Sequence, residues 1–285
     1  MRPKQGDERP LASAGAVWDL MSRHGITPEK RFGQNFLIDS SVVKKTVDAL
    51  GPLEGKTVYE VGPGMGTLTR ALAEAGAKVV AVEMDRRFRP VLEETLADLK
   101  TTSPQGLSKA EVVWGDALLF DWNSASPGSL FAANLPYNIA TPLLTQLLVS
   151  GRFQRLVVMV QKEVAGRLVA KPGSKNYGLL SLRVEHHAKA KKLFDIPPGA
   201  FSPAPKVTSS VVLLEATNAP DNPALFRLIE AAFGQRRKTL KNALVAAGYP
   251  ADRVLEGLEA LSLSPSVRGE ALSLAQFKSL LARLA

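Results

Sequence analysis

Strand-like runs alternate with helix-like segments through the middle of the chain, and this alternation limits the possible folds more than any other feature. The strand pattern occurs at Thr57–Val61, Lys78–Glu83, Glu111–Trp114, Ser129–Ala133, Arg155–Gln161, Ala190–Ile196 and Val207–Glu215. Helical patterns separate most of the first five runs. Strands joined through helices pair in parallel and are covered on both faces. The sequence therefore predicts an α/β fold built on a parallel sheet.

Helical patterns flank this alternating region. Two precede it, at Leu11–His24 and at Ser40–Leu50, and Asp39 or Ser40 would cap the second. A stretch rich in Asn, Pro and Ala at Thr217–Pro223 is typical of a linker. The predicted helices beyond it are Pro223–Phe233, Arg237–Ala247, Asp252–Leu261 and Ser273–Leu284. We expect an N-terminal extension and helix (residues 1–30), an α/β domain (31–216) and a small helical domain (217–285).

The residue types present exclude several kinds of chemistry. The chain has 285 residues, of which 45% are hydrophobic, so it can bury a large core. It has no cysteine, which excludes disulfides, thiolate metal sites and cysteine nucleophiles. His24, His186 and His187 lack the spacing of a metal site, and we expect the last two to be structural. No metal is expected, so the chemistry must come from carboxylates, amides, aromatic rings or a bound cofactor.

Charge and hydropathy bear on the partner and the location. The formal charge is +9 and the isoelectric point about 9.7, which favours a polyanion because neutralised phosphates release condensed counterions. No apolar run approaches the roughly 20 residues that a bilayer span needs. The N-terminus is charged, and no apolar segment of a signal peptide follows it. We expect a cytoplasmic protein without membrane contact.

A glycine-rich loop joins the first predicted strand to a helix. Thr57–Val61 leads into G-P-G-M-G at residues 62–66, and the helix follows at once. Glycines let the backbone turn sharply and let a ligand approach a helix N-terminus closely. A dinucleotide-binding fingerprint G-x-G-x-x-G would need a glycine at Thr67, so the spacing argues against a nicotinamide-dependent dehydrogenase. An ordinary glycine turn is the alternative reading of the loop.

The pattern E-x-G-x-G-x-G resembles instead the first motif of class I methyltransferases. That resemblance implies S-adenosylmethionine as the cofactor, with Gly62 and Gly64 beside its methionine portion. Glu83 ends the second strand, where a carboxylate can accept hydrogen bonds from two ribose hydroxyls. Asp116 follows the third strand and suits the exocyclic amine of the cofactor's adenine. For Glu83 taken alone, a solvated charge at a strand end is the alternative.

The most specific segment follows the fourth strand and reads Asn134, Leu135, Pro136, Tyr137. Adenine N6 is a weak nucleophile because its lone pair is delocalised into the ring. The side-chain oxygen of Asn134 and the backbone carbonyl of Leu135 can accept the two N6 hydrogens and orient the nitrogen toward a methyl donor. Pro136 fixes the local backbone, and Tyr137 offers a face on which an extruded base stacks. A turn with a buried tyrosine is the alternative.

Several segments together resemble the rRNA adenine N6,N6-dimethyltransferase family. They are N-L-P-Y-N-I-A-T-P-L-L at residues 134–144, R-F-G-Q-N-F-L at 31–37, V-Q-K-E-V-A at 160–165, F-S-P-A-P-K-V at 201–207 and F-G-Q-R-R-K-T-L at 233–240. The resemblance covers about residues 27–280. It implies a class I, Rossmann-like methyltransferase sheet followed by a small C-terminal α-helical domain that binds RNA.

The same resemblance implies residue roles and a substrate. Asn35 and Leu37 would close over the cofactor, Asn134 would touch both the cofactor and the target amine, and Phe201 would stack on the base opposite Tyr137. Members of the family place two methyl groups on each of two adjacent adenosines in a hairpin near the 3′ end of 16S rRNA. The expected partners are small-subunit rRNA and the immature small ribosomal subunit, and nothing in the sequence argues against a monomer.

A basic cluster lies near the predicted start of the second C-terminal helix. Its members are Arg236, Arg237, Lys238 and Lys241. Charge runs are usually solvated faces, which is the alternative here. Cations at a helix N-terminus are disfavoured by the helix dipole, so contact with RNA phosphates is a reason for them to be there.

Two other functions remain open at this point. A large-subunit rRNA adenine N6-methyltransferase of the antibiotic-resistance type would share nearly all of this chemistry, although the segments at 134–144 and 236–244 resemble the small-subunit enzyme more. A non-catalytic RNA-binding assembly factor could use the same fold. The presence of Asn134, Tyr137 and Glu83 argues against that second alternative.

Overall fold

The computed structural model describes residues 10–29, 33–99, 109–235 and 237–284. The strands are β1 (Phe36–Leu37), β2 (Thr57–Val61), β3 (Lys78–Glu83), β4 (Ala110–Trp114), β5 (Ser129–Asn134), β6 (Phe153–Gln161), β7 (Ala188–Ile196), β8 (Phe201–Ser202) and β9 (Ser209–Ala216). The helices are α1 (Ala14–Arg23), α2 (Ser40–Leu50), α3 (Thr67–Glu74), α4 (Arg89–Thr95), α5 (Ala140–Ser150), α6 (Lys162–Leu168), α7 (Leu179–His187), α8 (Pro223–Gly234), α9 (Leu240–Ala246), α10 (Ala251–Ala260) and α11 (Leu274–Leu284).

The main sheet has seven strands in the order β4-β3-β2-β5-β6-β9-β7. The neighbours from β4 to β6 pair in parallel, as predicted. The parallel arrangement predicted from the alternating runs does not extend to the later strands, because β9 pairs antiparallel with β6, with Arg155 opposite Glu215 and Gln161 opposite Ser209. The physical reason is that β6 and β9 are not consecutive strands joined by a single helix: α6, α7 and β7 lie between them, so the rule for one-helix crossovers does not set their direction. The sheet is mixed.

Alternate residues of β5 enter different apolar clusters, so the centre of the sheet is buried on both faces. Leu130 and Ala132 join the main core with residues of α2 and α3. Phe131 points to the other face, where its ring meets those of Trp122 and Phe153 at centroid distances of 6.0 and 5.8 Å. Successive side chains of a strand point to opposite faces, and continuous apolar runs are therefore typical of such two-sided burial.

Two short strands, β1 and β8, form a second sheet that was not predicted from the sequence. Phe36 lies opposite Ser202, Leu37 lies opposite Phe201, and the Ile38 N–H donates to the Ala200 carbonyl at 2.9 Å. Two residues are too few to show a period, which is why the pattern was not visible. The pairing fixes residues 36–38 against a distant part of the chain.

The helix predicted at Arg237–Ala247 begins later than expected. In the structure α9 starts at Leu240, because the Thr239 hydroxyl accepts a hydrogen bond from the Asn242 N–H and caps the helix. Arg237 and Lys238 therefore precede the helix, and the argument from a helix start applies to neither. By contrast, α2 has the predicted bounds, and the carboxylate of Asp39 caps it.

Residue contacts divide the described chain into two compact units. One contains the residues up to 165 together with 191–215, and the other contains 166–190 together with the residues from 216 onward. The second unit therefore includes α7, which the sequence analysis placed in the α/β domain, and the domain boundaries themselves stay predictions. His186 and His187 are buried in this unit, where their rings pack on Phe226.

Within residues 10–29, 33–99, 109–235 and 237–284, no helix has the length and the apolar composition to cross a membrane. Over the same ranges, no three His, Asp or Glu side chains are grouped in a way that could hold a metal ion.

Candidate active site

A cavity of about 450 Å³ opens at the carboxyl ends of the parallel strands. Its wall is built from four loops, which follow β2 (Gly62–Met65), β3 (Glu83–Met84), β4 (Gly115–Leu118) and β5 (Asn134, Pro136), together with residues 33–37. Small-molecule sites in open α/β sheets lie at this edge, and the volume falls within their usual range.

The glycine loop after β2 forms the floor of the cavity. Gly62 and Gly64 have φ angles of +71° and +54°, which side chains rarely tolerate. A Cβ at Gly62 would meet no protein atom within 4 Å, so it would project into the open space that a ligand needs. At Gly64 a Cβ would lie 3.2 Å from the ring of Phe36. Glycine is thus required for the backbone to approach both a ligand and the segment above it.

Glu83 presents a buried carboxylate to the cavity. Its exposed fraction is 8%, and burial raises its pKa. Oε1 accepts the Asp85 N–H at 2.8 Å and Oε2 accepts the Gly64 N–H at 3.4 Å, which partly offsets the cost of burial. Each carboxylate oxygen can accept a further hydrogen bond, so the group fits a donor such as a pair of ribose hydroxyls.

Asn134 ends β5 with its carboxamide in a defined orientation. The Nδ2 atom donates to the backbone carbonyl of Asn35 at 3.0 Å, across 99 residues of sequence. The amide nitrogen is therefore engaged, and Oδ1 is the atom with which the side chain can accept a hydrogen from a ligand. Asp116 also lines the cavity, with Oδ1 accepting the Leu118 N–H at 2.8 Å.

A ring of polar contacts holds the segment 33–37 to the turn after β3, and the sequence analysis missed it. The Gln34 side chain accepts the Glu29 N–H and donates to Asp85, both at 2.8 Å. Arg87 pairs with Asp85 and with Glu29, which closes the ring. We refer to Glu29, Gln34, Asp85 and Arg87 as the latch. No local pattern in the sequence signals contacts of this kind between distant segments.

Glu60 is a second feature that the sequence analysis left without a role. It is buried at the end of β2 and lines the cavity, and Thr69 Oγ1 donates to its Oε2 at 2.6 Å. Burial raises the pKa of Glu60 to about 8, and the nearby charge of Glu83 acts in the same direction, while the Thr69 hydrogen bond opposes it. At neutral pH the carboxyl group is therefore largely protonated.

The structure brings most of the predicted site residues to one cavity. The wall includes Asn35, Leu37, Gly62, Gly64, Glu83, Asp116, Asn134 and Pro136. Leu135 is buried and can contribute only through its backbone, and the hydroxyl of Tyr137 bonds to Ser209. Phe201, with 3% exposure, lies in the main core on β8, so its ring does not line the cavity, and its stacking role stays a prediction.

Of the predicted RNA-binding residues, Arg236 falls outside the described residues, and the other three belong to the second unit. Arg237 and Lys238 are exposed, and Lys241 is half-buried within α9. Their role in RNA binding also stays a prediction.

The fold and this cavity define an S-adenosylmethionine-dependent methyltransferase. A family model described as ribosomal RNA adenine dimethylase matches residues 26–280. The chain belongs to the ribosomal RNA adenine dimethylase family, and the predicted fold class, enzyme class and cofactor are confirmed.

Relatives and solved structures agree with this family. The chain is 43% identical over 280 residues to the ribosomal RNA small subunit methyltransferase A of Deinococcus radiodurans, covering 98% of this chain and 93% of the relative. The corresponding protein of Aromatoleum aromaticum is 43% identical over 263 residues, covering 90% and 93%. A dimethyladenosine transferase from Plasmodium falciparum superposes with a TM-score of 0.73 at 26% identity, covering 86% and 95%. The 23S rRNA methyltransferase ErmE, at 23% identity and a TM-score of 0.67, shares the fold.

Replacing Glu60 by Gln should change how stability depends on pH. Between about pH 5 and pH 8 the folded wild type keeps a proton on Glu60 that the unfolded chain releases, so its free energy of unfolding falls as pH rises. Gln is isosteric and does not titrate. Relative to wild type, E60Q should gain at least about 1 kcal/mol between these pH values, measured by urea unfolding. If the free energy of unfolding depended on pH in the same way in both proteins, the raised pKa of Glu60 would be contradicted.

Breaking the latch should weaken cofactor binding. Arg87→Ala removes the ion pairs with Asp85 and Glu29, so residues 33–37 are held less firmly over the cavity. Calorimetry should show roughly three- to tenfold weaker binding of S-adenosylmethionine, the loss expected for about 1 kcal/mol. Arg23→Ala is the matched control, because Arg23 is also ion-paired, with Asp19 and Glu94, whereas only the partners of Arg87 are hydrogen-bonded to Gln34. Equal losses in both variants would mean that the latch has no specific part in binding.

Proposed function

We propose that this chain transfers methyl groups from S-adenosylmethionine to N6 of two adjacent adenosines in a hairpin near the 3′ end of 16S rRNA, two on each. The observation that carries the proposal is the fixed amide of Asn134 at the end of β5, with its nitrogen bound to the Asn35 carbonyl. The names of relatives at 43% identity specify the small subunit, which supports that subunit as the source of the RNA.

Residues at the end of β5 and directly after it activate the target amine without a strong base. Asn134 Oδ1 accepts one N6 hydrogen and the Leu135 carbonyl accepts the other, so the nitrogen lone pair is directed toward the methyl donor. The Leu135 N–H donates to the Met159 carbonyl at 3.0 Å, which holds the backbone that carries this second acceptor. Tyr137 provides a stacking face for the extruded base, and Phe201 is proposed as the opposite face.

The cavity wall is suited to the cofactor. Bound S-adenosylmethionine would supply a methyl group from its positively charged sulfur atom, and the products would be the neutral thioether, the methylated amine and one proton released from N6. Glu83 accepts hydrogen bonds from the ribose hydroxyls, and Asp116 accepts one from the adenine amine. Gly62 and Gly64 leave room for the methionine portion, while Asn35 and Leu37 cover the cavity. These carboxylates also favour a cation over the neutral product of methyl transfer.

The proposed partner is the immature small ribosomal subunit, on which the chain acts as a cytoplasmic monomer late in assembly. Its charge of +9 supports binding to a large polyanion. Two cations of the second unit, Arg237 and Lys238, are exposed and thus available for phosphate contacts.

The decisive experiment uses labelled S-adenosylmethionine and under-methylated small subunits, followed by mapping of the modified nucleotides. We expect label on N6 of two neighbouring adenosines in the 3′ hairpin. Label in large-subunit rRNA, or on another atom, would overturn the proposal.

Replacing Asn134 by Ala should separate catalysis from binding. The variant loses one of the two acceptors that orient N6, so kcat should fall by roughly 10² or more. Affinity for the small subunit should persist, because the side chain contributes little of the RNA contact area. An equal loss of affinity and turnover would mean that Asn134 is mainly structural, as its bond to Asn35 alone would allow.

Neutralising Arg236, Arg237 and Lys238 with Gln should weaken RNA binding and flatten its dependence on salt. Each lost phosphate contact reduces the slope of log affinity against log salt by about 0.7 to 0.9. A matched triple variant at Lys56, Lys78 and Lys109 removes the same charge from the amino-terminal ends of β2, β3 and β4, in the first unit. An identical salt slope in both variants would assign the cluster to ordinary solvated surface.

A further inference from the structure

We propose that Ser209 is a positioning residue for this reaction, because its buried hydroxyl holds the ring of Tyr137 in the plane that stacks on the target adenine. The inference rests on the proposed function, since it concerns the base that is methylated. It adds a residue from another strand to the site formed after β5.

The two hydroxyl groups meet across 72 residues of sequence. The Tyr137 hydroxyl lies 3.3 Å from Ser209 Oγ. Tyr137 is half-buried in the turn between β5 and α5, whereas Ser209, with 1% exposure, is the first residue of β9. Ser209 stands opposite Gln161 of β6 in the antiparallel pair, so its place is set by the sheet. The flexible partner of the bond is therefore the tyrosine.

The backbone beneath Tyr137 is already fixed. The Ile139 and Ala140 N–H groups both donate to the Pro136 carbonyl at 3.2 Å, which closes the turn. With the Cα atom held there, the ring retains two torsion angles, and a bond at its far end selects one combination of them. A ring that is free before binding must be ordered when the base arrives, and this entropy cost opposes binding.

The neighbouring serine shows that the Ser209 contact is specific. Ser210 is also buried, but its hydroxyl donates to Asp195 Oδ1 at 2.6 Å. That carboxylate also binds Lys162 and Lys192, at 3.0 and 3.1 Å. Successive strand residues point to opposite faces, so the two hydroxyls serve different partners. Ser210 therefore provides a matched control for the loss of a buried hydroxyl from β9.

The test measures methyl transfer to under-methylated small subunits for wild type, Ser209→Ala, Ser209→Thr, Ser210→Ala, Tyr137→Phe and the double variant of Ser209→Ala with Tyr137→Phe. We expect Ser209→Ala to raise KM for the subunits roughly three- to tenfold, the cost of ordering one side chain, and to leave kcat within about twofold. Affinity for S-adenosylmethionine, measured by calorimetry, should match wild type and serves as the check on folding.

A double-mutant cycle separates this role from simple packing. If the hydroxyl pair acts as a unit, Tyr137→Phe should give the same rise in KM, and the double variant should be no worse than either single variant. Ser209→Thr, which keeps a hydroxyl, and Ser210→Ala should both stay near wild type. Where Ser209→Ala does not fold, Tyr137→Phe decides the matter, because it removes the same bond and leaves the buried serine in place.

Two results would overturn the inference. The first is that the wild type methylates normally but KM for the subunits is unchanged in Ser209→Ala. Where Ser209→Ala does not fold, the same result in Tyr137→Phe counts instead. The second is that each single variant raises KM and that the two factors multiply in the double variant, as expected for independent residues. Failure of the wild type itself to methylate adenosine N6 would instead overturn the proposed function.

Discussion

The hydrogen bond from Asn134 to the Asn35 carbonyl is the interaction on which the rest of the site depends. It joins the end of β5 to the segment 33–37, which lines the cavity, and it engages the amide nitrogen, which leaves Oδ1 as the acceptor of the side chain. A single orientation of the Asn134 side chain therefore serves both the contact with residues 33–37 and the proposed contact with the target amine. The latch and the β1–β8 pairing hold residues 33–37 at the same edge of the sheet, where this bond forms.

Charge is distributed unevenly between the cavity and the whole chain. The wall contains Glu60, Glu83 and Asp116, while the protein as a whole carries +9. The basic surplus attracts a polyanion over a long range, and the local carboxylates act at short range on a cationic cofactor. Burial keeps Glu60 largely protonated, so the cavity avoids the full repulsion of two buried anions on adjacent strands.

The parts of the fold that follow from periodic patterns could be predicted. The bounds of β2 and α2 agree with the structure, and so does the meeting of Gly62, Glu83 and Asn134 at one sheet edge. The antiparallel pairing of β9 could not be predicted. The direction of a strand depends on how the chain connects it to its neighbours, and the alternation of polar and apolar residues within the strand does not show that direction. The latch was missed for a related reason, since ion pairs between distant segments have no local signature.

The β1–β8 ladder ties the covering segment to the strand that contains Phe201. Leu37 faces the cofactor cavity and is paired with Phe201, which lies in the core at the place where the second stacking ring is proposed. Backbone hydrogen bonds of a ladder are short and directional, so the two strands move together. A displacement of residues 36–37 would therefore also displace Phe201, so the segment that lines the cavity and the strand that contains this aromatic ring form one mechanical unit.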